Sequence, residues 1–235
     1  MPILTVIIPY YNESRILPKL FEALEELTPG LIHEFLFVDD GSSDNSRELV
    51  EKYRKTTAHN IQSTKNDVNM GKGVAIKTGV ESASGTHCLI LDADLELDPA
   101  EIYNLFQPVI DGKAQVVLGY RTFTSQSSFT YRYVMGNKAI TNFYGLLFNS
   151  YIRDIMCGFK LLPTELWRKI DLHQHGFAVE VEIPAACLHY GIKPYEVPVT
   201  YFPRTREEGK GITALDGIKI FFKLAIMRVR LKPNL

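Results

Sequence analysis

Short apolar runs alternate with amphipathic stretches through the first half of the chain. Residues 3–9 are almost wholly apolar and end at a proline, the pattern of a buried strand. Residues 14–27 then place Ile16, Leu17, Leu20, Phe21, Leu24 and Leu27 at helical spacing, with Ser14 positioned as a cap. Residues 34–38 predict a second strand, and Asp40-Gly41-Ser42-Ser43-Asp44 a turn that opens a helix reaching about Thr56. A short strand is expected over 61–65, a helix over 73–83 and a strand over 86–91. A helix follows over 99–110, started by Asp98-Pro99, and then a strand over 115–119. Apolar strands in βαβα alternation imply an α/β fold with a mostly parallel sheet covered on both faces. Beyond Gly119 the pattern is less regular, with a helix expected over 133–151 and a strand over 197–202. No linker, repeat or low-complexity tract interrupts it.

Composition narrows the classes. A chain of 235 residues fits one domain, or one with a short appendage, and can bury a good core. A formal net charge of −1 provides no global field for nucleic acid. Cys88, Cys157 and Cys187 are far apart and odd in number, which fits a reducing compartment and no metal role. The first residues lack a basic segment, so no signal peptide is expected. No run approaches the roughly 20 apolar residues of a spanning helix. A position on a membrane surface stays open.

In parallel sheets, ligands gather at the carboxyl ends of the strands. Three motifs fall there. Leu89-Ile90-Leu91-Asp92-Ala93-Asp94-Leu95-Glu96 delivers three carboxylates, two residues apart, at the end of an apolar strand. On an extended backbone they would share one side, and their repulsion calls for a cation such as Mg²⁺ or Mn²⁺ completed by phosphate oxygens. An EF-hand loop is excluded, because Leu97 and Tyr103 stand where Gly and Glu are required. Pro9-Tyr10-Tyr11-Asn12-Glu13 suits either the rim of a nucleotide pocket or a loop whose tyrosines pack. Asp39-Asp40-Gly41-Ser42 reads as ligand contact at Asp40, and Asp44 as a cap of the next helix. Asn69-Met70-Gly71-Lys72-Gly73 is not a Walker A loop and reads as a supporting turn near the nucleotide. The six histidines have no metal spacing; His173-x-His175 lacks a third ligand nearby.

Together these motifs resemble glycosyltransferase family 2, the GT-A fold. The resemblance rests on Val6-Ile7-Ile8-Pro9-Tyr10-Tyr11-Asn12-Glu13, Phe37-Val38-Asp39-Asp40-Gly41-Ser42-Ser43-Asp44, Asn69-Met70-Gly71-Lys72-Gly73 and Asp92-Ala93-Asp94-Leu95-Glu96. The chain is similar, more narrowly, to polyprenyl- and dolichyl-phosphate sugar transferases. That similarity rests on Gly119-Tyr120-Arg121, Asp154-Ile155-Met156-Cys157-Gly158-Phe159-Lys160, Glu196-Val197-Pro198-Val199 and the basic loop from Arg204 to Lys210.

The resemblance implies that Pro9, Tyr11, Glu13, Asp40 and Asp92 line the nucleotide site. It implies Mg²⁺ or Mn²⁺ on Asp92 and Asp94, with Glu96 as third ligand where many relatives carry Gln. Asp94, Asp154, Arg121 and Arg204 are the implied catalytic residues, and Arg132, Arg204, Arg206 and Lys210 the implied acceptor-phosphate ligands. The expected partners are GDP-mannose or UDP-glucose, a polyprenyl or dolichyl phosphate, and a membrane surface or membrane subunit on the cytoplasmic face. The metal would neutralise the departing diphosphate, and a lipid phosphate, already anionic, would attack without a general base. The rivals are transfer to a hydroxyl of a soluble glycan or protein, with Glu180 or Glu182 as base, and a non-catalytic nucleotide-binding subunit that retains the fold.

Residues 1–211 are expected to form the catalytic domain and 212–235 an amphipathic C-terminal helix. On that helix Lys219, Lys223 and Arg230 fall within an arc of about 40°, counting about 100° per residue. Both an interfacial helix and a core-packing helix fit this pattern.

Overall fold

The structure is a computed structural model, and it describes residues 1–28, 30, 32–122, 131–174, 176–203 and 214–231. Its strands are Leu4–Tyr10 (β1), Ile32–Asp39 (β2), Ile61–Lys65 (β3), His87–Ile90 (β4), Val117–Thr122 (β5), Lys160–Pro163 (β6) and Tyr195–Thr200 (β7). Its helices are Leu17–Glu25 (α1), Ser46–Thr56 (α2), Lys72–Ser82 (α3), Ile102–Ile110 (α4), Tyr131–Phe148 (α5), Thr164–Lys169 (α6), Val179–His189 (α7) and Ala214–Arg230 (α8). The strands form one seven-stranded sheet ordered β3-β2-β1-β4-β6-β5-β7. All neighbours pair in parallel except β6, which is antiparallel to β4 and β5. The expected α/β class and mostly parallel sheet are therefore present.

Alternation along β1 divides the core. Leu4, Val6, Ile8 and Tyr10 face a cluster containing Leu17, Leu20 and Leu24 of α1, Val50 and Tyr53 of α2, and Leu105 and Phe106 of α4. Ile7 faces the opposite cluster, with Ala75, Ile76 and Val80 of α3, Tyr144 and Phe148 of α5, the buried length of α7, and Ile220, Leu224 and Met227 of α8. Full burial of each such aliphatic side chain contributes about 1.5–3 kcal/mol. The C-terminal helix thus packs into the same core as the sheet.

Several elements differ from the sequence expectation. Ser14 does not cap α1: residues 14–16 form a turn, Ile16 holds the cap position, and the Ser14 amide donates to Asp44 Oδ2 at 3.1 Å. Asp98 does start its helix, accepting from the Ala100 amide at 2.9 Å, through a 3₁₀ turn over Pro99–Glu101. β6, α6 and α7 were not read from the sequence. α7 is buried along almost all its length, so its apolar positions have no helical period to reveal.

Candidate active site

β1, β2 and β4 end side by side, and the loops that leave them are clasped to one another. Asn12, in the left-handed region at φ 54°, accepts from the Ser43 amide at 2.8 Å through Oδ1, while its own amide donates to Ser42 Oγ at 3.0 Å. This fixes the turn carrying Tyr11 and Glu13 against the turn after β2. Tyr11 is exposed, Glu13 is half-buried and Pro9 lies inside β1. Asp39 accepts from the Ser42 amide at 2.8 Å, closing that turn.

Asp40, expected at the nucleotide site, is held by donors of the protein itself. It is buried, and its carboxylate accepts from Asn66 Nδ2 at 2.8 Å, the Met70 amide at 3.1 Å and the Gly71 amide at 2.6 Å. Three of the roughly four acceptor sites of a carboxylate are thereby taken up by the loop before α3. Gly41 makes the contact possible. Its φ is +76°, and a Cβ there would meet the Val68 carbonyl carbon at 2.5 Å. Asp40 thereby shapes the 66–71 loop.

That loop ends at Lys72, the first residue of α3, whose Nζ lies 2.5 Å from Asp92 Oδ1 and 2.6 Å from Glu180 Oε1. Glu180 Oε2 lies 3.0 Å from Lys160 Nζ, and that ammonium also donates to the Cys157 carbonyl. Two carboxylates and two ammoniums, from the segment after β4 and from α7, α3 and β6, thus form a neutral chain beneath the site. Burial alone would lower the Lys72 pKa, but Asp92 and Glu180 outweigh it and raise the value. Glu182 is also committed, accepting from the His173 amide at 3.0 Å and the Gln174 amide at 3.0 Å.

The acid cluster is not the row of side chains expected on an extended strand. β4 ends at Ile90; residues 93–96 form a turn with Leu95 at φ 57°. Alternation therefore stops before Asp92, and the three carboxylates do not share one side by strand geometry. Asp92 rests on Lys72 and against the Gly158 backbone, where a Cβ would collide with its Oδ2. Asp94 Oδ1 accepts from the Glu96 amide at 3.0 Å. Glu96 Oε2 accepts from the Tyr201 hydroxyl at 3.0 Å. Among the described residues no three His, Cys, Asp or Glu are grouped to hold a metal ion. Asp94 and Glu96 still present hard oxygens two residues apart, the donor chemistry of a divalent cation that keeps waters and completes its shell on phosphates. The residues fit that arrangement and not a closed protein cage.

On the other side, Arg121 and Asp154 bind each other. Arg121 Nε donates to Oδ2 at 2.6 Å and Nη2 to Oδ1 at 2.8 Å, and the Arg121 amide adds a third bond at 3.2 Å. Burial opposes the charge on Asp154, but Arg121 outweighs it and holds the carboxyl below its ordinary range. Asp154, expected among the catalytic residues, is thus held by Arg121 from three donors. Arg121 is also largely engaged by this pair, and its guanidinium stands 4.9 Å from the Tyr201 ring centroid. Arg132 lies exposed in the first turn of α5, and Arg204, Arg206 and Lys210 fall outside the described residues.

Lys72, Lys160 and Tyr201 were missed as site residues. Only Lys72 carried a local signal, as a cation between two glycines at a helix start; the other two acquire their partners through tertiary structure.

The glycosyl transferase family 2 model matches residues 5–177. The dolichyl-phosphate beta-glucosyltransferase ALG5A of Trichomonas vaginalis is 30% identical, the match covering 97% of this chain and 76% of that protein. The dolichol-phosphate mannosyltransferase of Pyrococcus furiosus is 28% identical, over 94% of this chain and 63% of that protein. Glucosyl-3-phosphoglycerate synthase from Mycobacterium tuberculosis, solved with Mn²⁺, UDP and glucosyl-3-phosphoglycerate, superposes with a TM-score of 0.70 at 17% identity, covering 99% of this chain and 82% of that one. By its matched family model, its sheet and the loops at the carboxyl ends of its strands, the chain belongs to glycosyl transferase family 2 and is a nucleotide-sugar-dependent glycosyltransferase.

Proposed function

We propose that the chain moves a hexose, glucose or mannose, from a nucleoside diphosphate sugar to a polyprenyl or dolichyl phosphate, with inversion at the anomeric carbon. The observation that carries this reading is the commitment of Glu180 and Glu182, the acids weighed as a general base. Glu180 is held between Lys72 and Lys160, and Glu182 by two backbone amides. A hydroxyl acceptor needs a base of this kind, whereas a phosphate monoester arrives as an anion. Relatives named as dolichyl-phosphate transferases support the same acceptor class.

In this reading Tyr11, Glu13 and Pro9 border the nucleoside, and Asp40 holds the 66–71 loop beside it. Asp94 and Glu96, with Asp92 behind them, would hold Mg²⁺ or Mn²⁺, as complexes of the structural neighbour hold those ions with UDP. Such a cation, when bound, neutralises the charge that develops on the leaving diphosphate. Arg132, Arg204, Arg206 and Lys210 are the cations offered to the acceptor phosphate.

The membrane surface is part of the proposal. No helix among the described residues is long and apolar enough to cross a membrane. α8 nevertheless exposes Ile218, Phe222, Ile226 and Val229, and α5 exposes Tyr131, Met135 and Leu146. We assign this apolar surface to peripheral contact with a cytoplasmic membrane face or a membrane subunit. The basic arc is reduced, because Arg230 donates to the Asp171 carbonyl at 3.1 Å.

The experiment is a double substitution, Arg204→Ala with Arg206→Ala, assayed with a polyprenyl phosphate and with a polyprenol. Loss of transfer to the phosphate with unchanged nucleotide binding supports the reading. Transfer to the alcohol that survives the substitution supports the hydroxyl-acceptor rival.

A further inference from the structure

The strand β7 leads out of the sheet beside the acid turn and is fastened to it repeatedly. Leu97 and Tyr201 form an antiparallel bridge, and the Phe202 amide donates to the Glu96 carbonyl at 2.8 Å. Thr200 donates to Glu101 Oε1 from its amide at 3.1 Å and from its hydroxyl at 3.0 Å. At the centre of this seam lies Tyr201, 7% exposed, with its hydroxyl on Glu96 Oε2 and its ring under the Arg121 guanidinium.

We propose that Tyr201 is a positioning residue: its hydroxyl fixes the Glu96 carboxylate in the orientation that this transferase requires for its divalent cation. The inference rests on the proposed metal-assisted reaction and adds to it a residue that touches neither donor nor metal. Ligating carboxylates are held by outer hydrogen bonds, and loss of one such bond weakens metal binding by about 10–100-fold. The geometry meets the requirement. A turn that contains a residue at φ 57° gives Glu96 no strand to orient it, and the bond from the buried Tyr201 hydroxyl holds its carboxylate. The ring is itself fixed, because Arg121 above it is locked by Asp154. One phenol thereby ties the orientation of Glu96 to the Arg121–Asp154 ion pair.

The test is Mn²⁺ binding in the presence of UDP or GDP, read from the electron paramagnetic resonance signal of free Mn²⁺. Four proteins are compared: wild type, Tyr201→Phe, Glu96→Ala and the double variant. Each is first checked for an unchanged far-ultraviolet circular dichroism spectrum. Tyr201→Phe keeps the ring beneath Arg121 and is expected to bind Mn²⁺ about 10–100-fold more weakly, with nucleotide affinity in the absence of metal unchanged. The double variant is expected to be no weaker than Glu96→Ala, since Tyr201 acts through Glu96. Wild-type Mn²⁺ affinity in Tyr201→Phe, or independent and additive losses, would overturn the proposal. Failure of the wild type itself to take up Mn²⁺ with either nucleotide would overturn the metal-assisted reading and this inference with it.

Discussion

Arg121 and Asp154 form a two-pronged ion pair, 2.6 and 2.8 Å long, that ties β5 to the segment before β6. Both side chains are about one-tenth exposed, so removing either charge strands the other in a poorly solvated place. Asp154→Asn should destabilise the protein by about 3–5 kcal/mol. The melting temperature should then fall on the order of 10 °C, read by thermal denaturation. The pH dependence has a definite sign. The folded Asp154 pKa lies below its ordinary 3.8, so its contribution is complete above that value and is lost as pH falls through the lower folded value. Asp154→Asn should therefore flatten the acid limb of the stability curve and leave the neutral and alkaline limbs parallel to wild type.

Lys72 is the only described cation that touches both the acid turn and α7. Lys72→Met removes one ammonium from two carboxylates, while Glu180 retains Lys160. The expected cost is about 1–3 kcal/mol, smaller than for Arg121–Asp154 because one partner remains. The larger effect should be on turnover, since Asp92 loses the bond that positions it. Denaturant titration and initial rates on the same preparation separate the two.

Gly41 offers a test of the loop that Asp40 holds. Gly41→Ala forces a Cβ into the left-handed region and against the Val68 backbone. A strain of about 1–3 kcal/mol is expected. It should appear as weaker nucleotide binding by calorimetry, because the 66–71 loop must move away to relieve the contact. An unchanged affinity would show that this loop does not border the nucleotide.

Local pattern accounts for the parts of this fold that were legible. β1, α2 and β3 lie within a residue or two of where their apolar runs and turn residues place them. α7 was illegible for the opposite reason: burial on all sides erases periodicity, and Val179-Glu180-Val181-Glu182 alternates like a strand. β6 has four residues and opens with a buried lysine, which no strand pattern anticipates. At the site, the residue types were readable and their partners were not. Asp92 and Asp94 declare acid chemistry at a strand end, but β4 stops at Ile90 and the chain turns from Ala93 on, so strand alternation does not place them. Lys72 meets Glu180 across 108 positions of sequence, and Glu96 meets Tyr201 across 105, so only the folded chain brings these groups together.

The central claim is sugar transfer to a lipid phosphate, and radiolabel transfer tests it most directly. UDP-glucose and GDP-mannose, each labelled in the sugar, are incubated in parallel with polyprenyl phosphate and Mn²⁺ or Mg²⁺. The account predicts organic-extractable label from one donor, abolished by EDTA and by Asp94→Ala. Folded wild-type protein that binds a nucleotide yet yields no lipid-linked label from either donor would contradict it.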